Sequence, residues 1–212
     1  MRVAIDSSNK LTYTGIMSGS FTATEELFQN FERIFKENGV AGKFHWSQLS
    51  SKMKNKLKVP LAKALSESKM NFNVIYHRKP AKVTKKEWFM FYLPTQIAQR
   101  LEHWLSGRGG NVELIVDDDY TVIKGGTGTV YFIERLLRQL SVRLTGKEAT
   151  VRREDKMKMT VKQANGNILS FHASVAGKSS RGIGLVDVYL GLYIFEPRLF
   201  REMKNVYYKS LK

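Results

Sequence analysis

Cysteine is absent from the 212-residue chain, which excludes disulfides, a thiolate zinc site and a cysteine nucleophile. Proline is scarce, at four residues, and no Pro/Gly/Ser-rich linker, repeat or low-complexity segment divides the chain. No run of eighteen apolar residues occurs, so the sequence offers no membrane-spanning helix. Met1–Ile5 lacks the long apolar stretch of a signal peptide, and with the missing cysteines this predicts a cytoplasmic protein and no membrane partner. Carboxylates are the other shortage. There are 19 Asp and Glu against 35 Lys and Arg, a net charge of +16.

What is present is a globular composition. Hydrophobic residues make up 42% of the chain, enough for one sizeable core and too many for a disordered polymer. Such a basic globular chain is suited to a polyanion, and nucleic acid, DNA or RNA, is the expected partner. The excess is concentrated. Between Lys36 and Lys86 thirteen basic residues face only Glu37 and Glu67, so this quarter of the chain carries +11. Lys52, Lys56 and Lys63 fall at helical spacings, as do Lys54 and Lys58, giving a face able to hold phosphates through counterion release.

Periodicity predicts a β-hairpin from Arg2–Ile5 and Leu11–Met17, with a turn at Ser7–Lys10. A helix capped by Thr22 and Glu25 should follow and end near Asn38-Gly39. A helical stretch at 46–68 is broken or kinked by Pro60. Met70–His77 reads as a strand, 86–106 as an amphipathic helix and Asn111–Val116 as a core strand. A Gly125–Gly128 loop opens a helix at 129–143, and 149–154, 157–163 and 168–173 are short strands. Asn165-Gly166 signals a type I′ turn between the last two. Helices at 182–195 and 197–208 should close the chain. The expected architecture is a single α/β domain with a mixed sheet, spanning 1–212, with a basic helical insertion at about 40–70.

The chain has six aspartates, and three positions matter. Asp6 lies late in an apolar first strand, Asp117 ends the strand Val112–Val116, and Asp187 interrupts the apolar run Ile183–Leu190. A carboxylate in such surroundings costs several kcal/mol unless it is paired or bound to metal. Shared by all three, a hard cation such as Mg²⁺ or Mn²⁺ is the chemical expectation. The plainer alternatives are turns at Asp6 and Asp117–Asp119, and for Asp187 an ion pair with Arg181 or a lysine.

These segments resemble the RNase H-like nuclease superfamily. Asp6-Ser7-Ser8 resembles its Asp-Gly-Ser start, and Val116-Asp117-Asp118-Asp119-Tyr120-Thr121-Val122 is similar to its Asp-Ser-x-Tyr-Val segment. Asp187-Val188-Tyr189-Leu190-Gly191 resembles its terminal Asp followed by Leu and a small residue. The resemblance spans residues 1 to about 195. It implies an RNase H-like mixed sheet flanked by helices, and metal-dependent hydrolysis of RNA or DNA phosphodiesters, with single strands slightly favoured. Asp6, Asp117 and Asp187 would bind the metal. A non-catalytic nucleic-acid-binding protein of the same fold is the alternative. The family's first-helix glutamate has no clear counterpart: the candidates are His45, ranked first, Glu26 and Glu25. The extra strand of the family's opening meander is not evident either.

Other phosphate contacts are expected from Lys124 beside the Gly125–Gly128 loop, and from Lys178 and Arg181 ahead of the Asp187 helix. Gly177-Lys178-Ser179 is not a P-loop, because His172 stands where its first glycine must be. Trp88, Phe89, Phe91 and Tyr92 form either a core stripe or a surface on which bases stack.

Overall fold

A computed structural model describes residues 1–8, 13–40, 45–76, 82–84, 87–118, 127–154 and 156–210. The chain is α/β and forms two compact units: Met1 with residues 79–175, here the middle unit, and residues 2–78 with 176–212, the terminal unit. No helix among the described residues is long and apolar enough to cross a membrane.

In the terminal unit, β1 (Arg2–Ser8) and β2 (Tyr13–Gly19) form an antiparallel pair in which Asp6 faces Gly15. β3 (Asn71–Tyr76) adds antiparallel to β2 and supplies the third strand of a meander, reached only after two helices. These are α1 (Phe21–Glu37) and α2 (Ser51–Glu67), which pack on each other. α1 ends where expected, with Asn38 as its C-cap and Gly39 at φ 77°. Its start differs. Ser20, not Thr22, caps it, its Oγ accepting from the Ala23 N–H at 3.0 Å. Beyond the tight turn Trp46–Gln48, α2 starts at a second serine cap, Ser50, and runs without a break through Pro60.

α5 (Arg181–Phe195) packs on β1 and β2. It is apolar around most of its circumference because it is buried on several sides. A Cβ on Gly15 would lie 3.1 Å from Val186 and 3.3 Å from Leu190, so β2 and α5 approach closely. The expected helix at 197–208 is instead a short turn, Pro197–Phe200, and a strand, β8 (Val206–Ser210), parallel to β3. The β-branched and aromatic start of that strand, Val206-Tyr207-Tyr208, outweighs its helical spacing. The sheet order β1-β2-β3-β8 is therefore mixed.

The middle unit pairs two helices, α3 (Leu93–Leu105) and α4 (Thr127–Thr145). A π-helical turn, Trp88–Tyr92, leads without a break into α3, and Pro94 is the second residue of α3. The strands β4 (Gly110–Asp117), β7 (Ile168–Ala176), β6 (Met157–Lys162) and the two-residue β5 (Arg152–Arg153) lie in that order. β6 buries Met157, Met159 and Val161 and exposes Lys158, Thr160 and Lys162. The β6–β7 turn sits one residue earlier than expected. Gly166 N–H donates to Gln163 O and Gln163 N–H to Asn167 O, with Gly166 at φ 85°. That is a three-residue loop, not a two-residue I′ turn.

Candidate functional site

The site is built on α5. Ser180 caps this helix, its Oγ accepting from Ile183 N–H at 3.3 Å. Asp187 follows nearly two turns later. Its Oδ2 accepts from the Trp46 N–H at 2.9 Å and lies 3.5 Å from His45 Nδ1, while its Oδ1 is 3.3 Å from Lys178 Nζ. The buried cost of this carboxylate is thus offset by two cationic or imidazole groups and one backbone donor. The ion pair is with Lys178 and not with Arg181. His45 is held from a second side, with Ser47 Oγ 3.0 Å from the same ring nitrogen.

Gly191 explains how the 46–48 turn reaches the helix. A Cβ at that position would lie 2.2 Å from Trp46 Cδ1, so only glycine lets the indole sit flat on α5. Trp46 also meets Phe195 edge-on at 5.8 Å. Lys54 Nζ stands 5.8 Å above the Trp46 ring, and Lys58 Nζ 6.0 Å above Phe195. The result is an open cleft of about 540 Å³, lined by Ser7, Trp46, Ser47, Lys54, Lys178, Asp187, Leu190, Gly191, Ile194 and Phe195.

Asp6 belongs to the same unit and is 1% exposed, with Oδ1 accepting from Ser7 N–H at 2.6 Å. Directly paired residues of antiparallel strands project to one face. Since Gly15, the partner of Asp6, faces Val186 and Leu190, Asp6 projects toward the turn of α5 that carries Asp187.

The chain matches no protein-family model, no curated protein and no solved structure. Among the described residues, no group of three or more His, Asp or Glu side chains is placed to hold a metal ion. The cleft lining holds one carboxylate, Asp187, and the Lys178 ammonium already stands beside its Oδ1.

The remaining expected site residues are distributed as follows. Asp117 ends β4 in the middle unit and is 1% exposed. Arg181 is engaged by Glu25 and lies 5.3 Å over the Phe28 ring, while Glu25 also meets Arg2 at 3.4 Å. Glu25 is therefore a clasp between α1 and α5 and not part of a capping box. Glu26 is exposed on α1. Lys52 and Lys56 are exposed on α2, and Lys63 pairs with Glu67 at 3.9 Å on the same helix. None of these three lysines lines the cleft; Lys54 does. Lys124, with Gly125 and Gly126, lies outside the described residues, as do Asp119, His77, Lys85 and Lys86. Trp46 and Phe195 line the cleft without belonging to any motif in the sequence. The small residue at 191, one helical turn beyond Asp187, was the only local sign of the indole's seat.

Proposed function

We propose that the protein is a nuclease of RNase H-like fold that hydrolyses phosphodiester bonds of RNA or DNA with Mg²⁺ or Mn²⁺, single strands being slightly favoured. The observation that carries the reading is Asp187: a carboxylate in an otherwise apolar helix, opening on a cleft rimmed by Lys54 and Lys178, with Asp6 projecting toward the same helical turn. The resemblance at Asp6, Asp117 and Asp187 supports it, as does the charge of +16.

Asp187, which lines the cleft, and Asp6, which projects toward the same helical turn, are the residues that would hold the ion. When bound, a divalent ion supplies an activated water and neutralises charge on the phosphate. The chain's own groups do the rest. Lys54 and Lys178 gather the phosphate, with Lys178 exchanging its contact to Asp187 for one to the substrate. His45, set by Asp187 and Ser47 beside the cleft, is the group that would hold or move a proton there. Labelled single-stranded and duplex substrates should be cut in Mn²⁺ and spared in EDTA, and Asp187→Asn should abolish cleavage. Absence of cleavage on every substrate would contradict the proposal.

One observation favours a second reading, a nucleic-acid-binding protein without catalysis. Both oxygens of Asp187 are already engaged, by Trp46 N–H and His45 on one side and Lys178 on the other, so the carboxylate also serves to brace the 46–48 turn. In that case affinity depends on salt, needs no metal and survives Asp6→Asn unchanged.

A further inference from the structure

We infer that the middle unit carries an additional binding surface, a stacking platform for single-stranded nucleic acid formed by Phe91, Tyr92 and Tyr131 with Arg135 and Arg153. It rests on the proposed nucleic-acid partner but not on catalysis at the cleft. The aromatic run at 88–92 divides in two. Trp88 and Phe89 are core, at 5% and 0% exposure, whereas Phe91 and Tyr92 are 50% and 46% exposed. The π-helical turn brings this about. The Leu93 N–H reaches back to Trp88 O, five residues earlier, and the widened turn leaves the Trp88 and Tyr92 rings parallel, 5.6 Å apart and 8° from coplanar orientation. Such turns are uncommon and recur at functional sites.

α4 contributes the other half. Tyr131 is 49% exposed, and Arg135 stands one turn along the same helix face. The Arg135 guanidinium lies 4.9 Å from the centre of the Phe91 ring, and that of Arg153 lies 5.4 Å from Tyr131. Arg153 is fixed in place by its contact with Glu134. Rings and guanidinium groups therefore alternate over one surface.

The chemistry selects the occupant. Half-exposed rings offer π faces to unstacked bases, and guanidinium planes can stack on bases or bind the phosphates between them. A duplex buries its base faces and gains only the charges. An apolar protein partner would gain the rings but would have to desolvate both arginines. In a chain of net charge +16, a flexible polyanion with exposed bases uses both features.

The test is anisotropy binding of a labelled pyrimidine strand and the matching duplex in EDTA, where metal-dependent cutting is suppressed. Phe91→Ala and Tyr131→Ala are each expected to weaken single-strand binding about tenfold while leaving duplex binding unchanged. Phe91→Trp and Tyr131→Phe should retain wild-type affinity, which separates stacking from loss of fold. Wild-type single-strand affinity in the double alanine variant would overturn the inference, and so would equal losses on strand and duplex. Cleavage bears on the nuclease reading alone, so each reading can fail without the other.

Discussion

Gly191 and Trp46 show what one hydrogen atom does at the cleft. The indole lies where a side chain at position 191 would be, and α5 cannot retreat because Gly15 already brings β2 against its other side. Gly191→Ala should cost about 1–3 kcal/mol as an overpacked contact. Thermal melting would record the loss, and Trp46 displaced from its seat would shift tryptophan emission to the red; an unchanged melting temperature and spectrum would contradict this packing. Ser20→Ala is expected to cost about 1 kcal/mol, with Thr22→Ala near neutral, because Ser20 Oγ holds the Ala23 N–H in the first turn of α1. Melting of the two variants side by side checks which residue is the cap. Thr22-x-x-Glu25 fits the capping pattern in sequence, but Glu25 is drawn to Arg2 and Arg181, which lie far away along the chain. Local spacing carries no sign of such partners. Asp6, Asp187 and His45 stood out in the sequence because carboxylates and imidazoles among apolar residues demand partners. The actual partners of Asp187, Trp46 N–H and Lys178, depend on tertiary docking.

Among the elements, α4 and β5 are tied by charge. Glu134 on α4 accepts from Arg153 on β5 and from Arg138 one turn along its own helix. The hydrogen bond from Arg153, and then that from Arg138, hold the Glu134 carboxyl below its ordinary range against the opposing effect of burial. A depressed carboxyl pKa adds stability that is complete above the unfolded value of about 4.3 and is lost as pH falls through the lower folded value. Glu134→Gln should therefore lower stability by about 1 kcal/mol at neutral pH. The gap from wild type should close on acidification below about pH 4. Melting curves across pH 3–7 test this, and a gap independent of pH would contradict it. Elements with a clear period were legible: the opening strands, α1, β4, α4 and α5 all lie close to their expected places. β8 was not, because its spacing also fits a helix, and the β propensity of Val206-Tyr207-Tyr208 decides only together with pairing to β3. The break expected at Pro60 does not occur, since α2, supported by α1 and α5, continues through it.

For the whole molecule, charge is the organising property. The +16 excess predicts affinity for nucleic acid that falls steeply with salt, and removing one phosphate-binding lysine should reduce the slope by about one. Lys54→Gln is expected to do so, while Lys63→Gln should not, because Lys63 lies away from the cleft beside Glu67. Titrations at several salt concentrations distinguish them. The basic run was visible in sequence, yet which lysine faces the cleft is decided by how α2 and the 46–48 turn rest on α5. The most direct test of the central claim is cleavage of a labelled single strand in Mn²⁺ by the wild type and by Asp187→Asn, with binding measured on the same samples in EDTA. The asparagine still accepts from Trp46 N–H but loses the charge that holds a cation. Cutting by the wild type, and binding without cutting by the variant, is the expected result. Equal cutting by both, or none by the wild type under any metal condition, would contradict a metal-dependent nuclease site at Asp187.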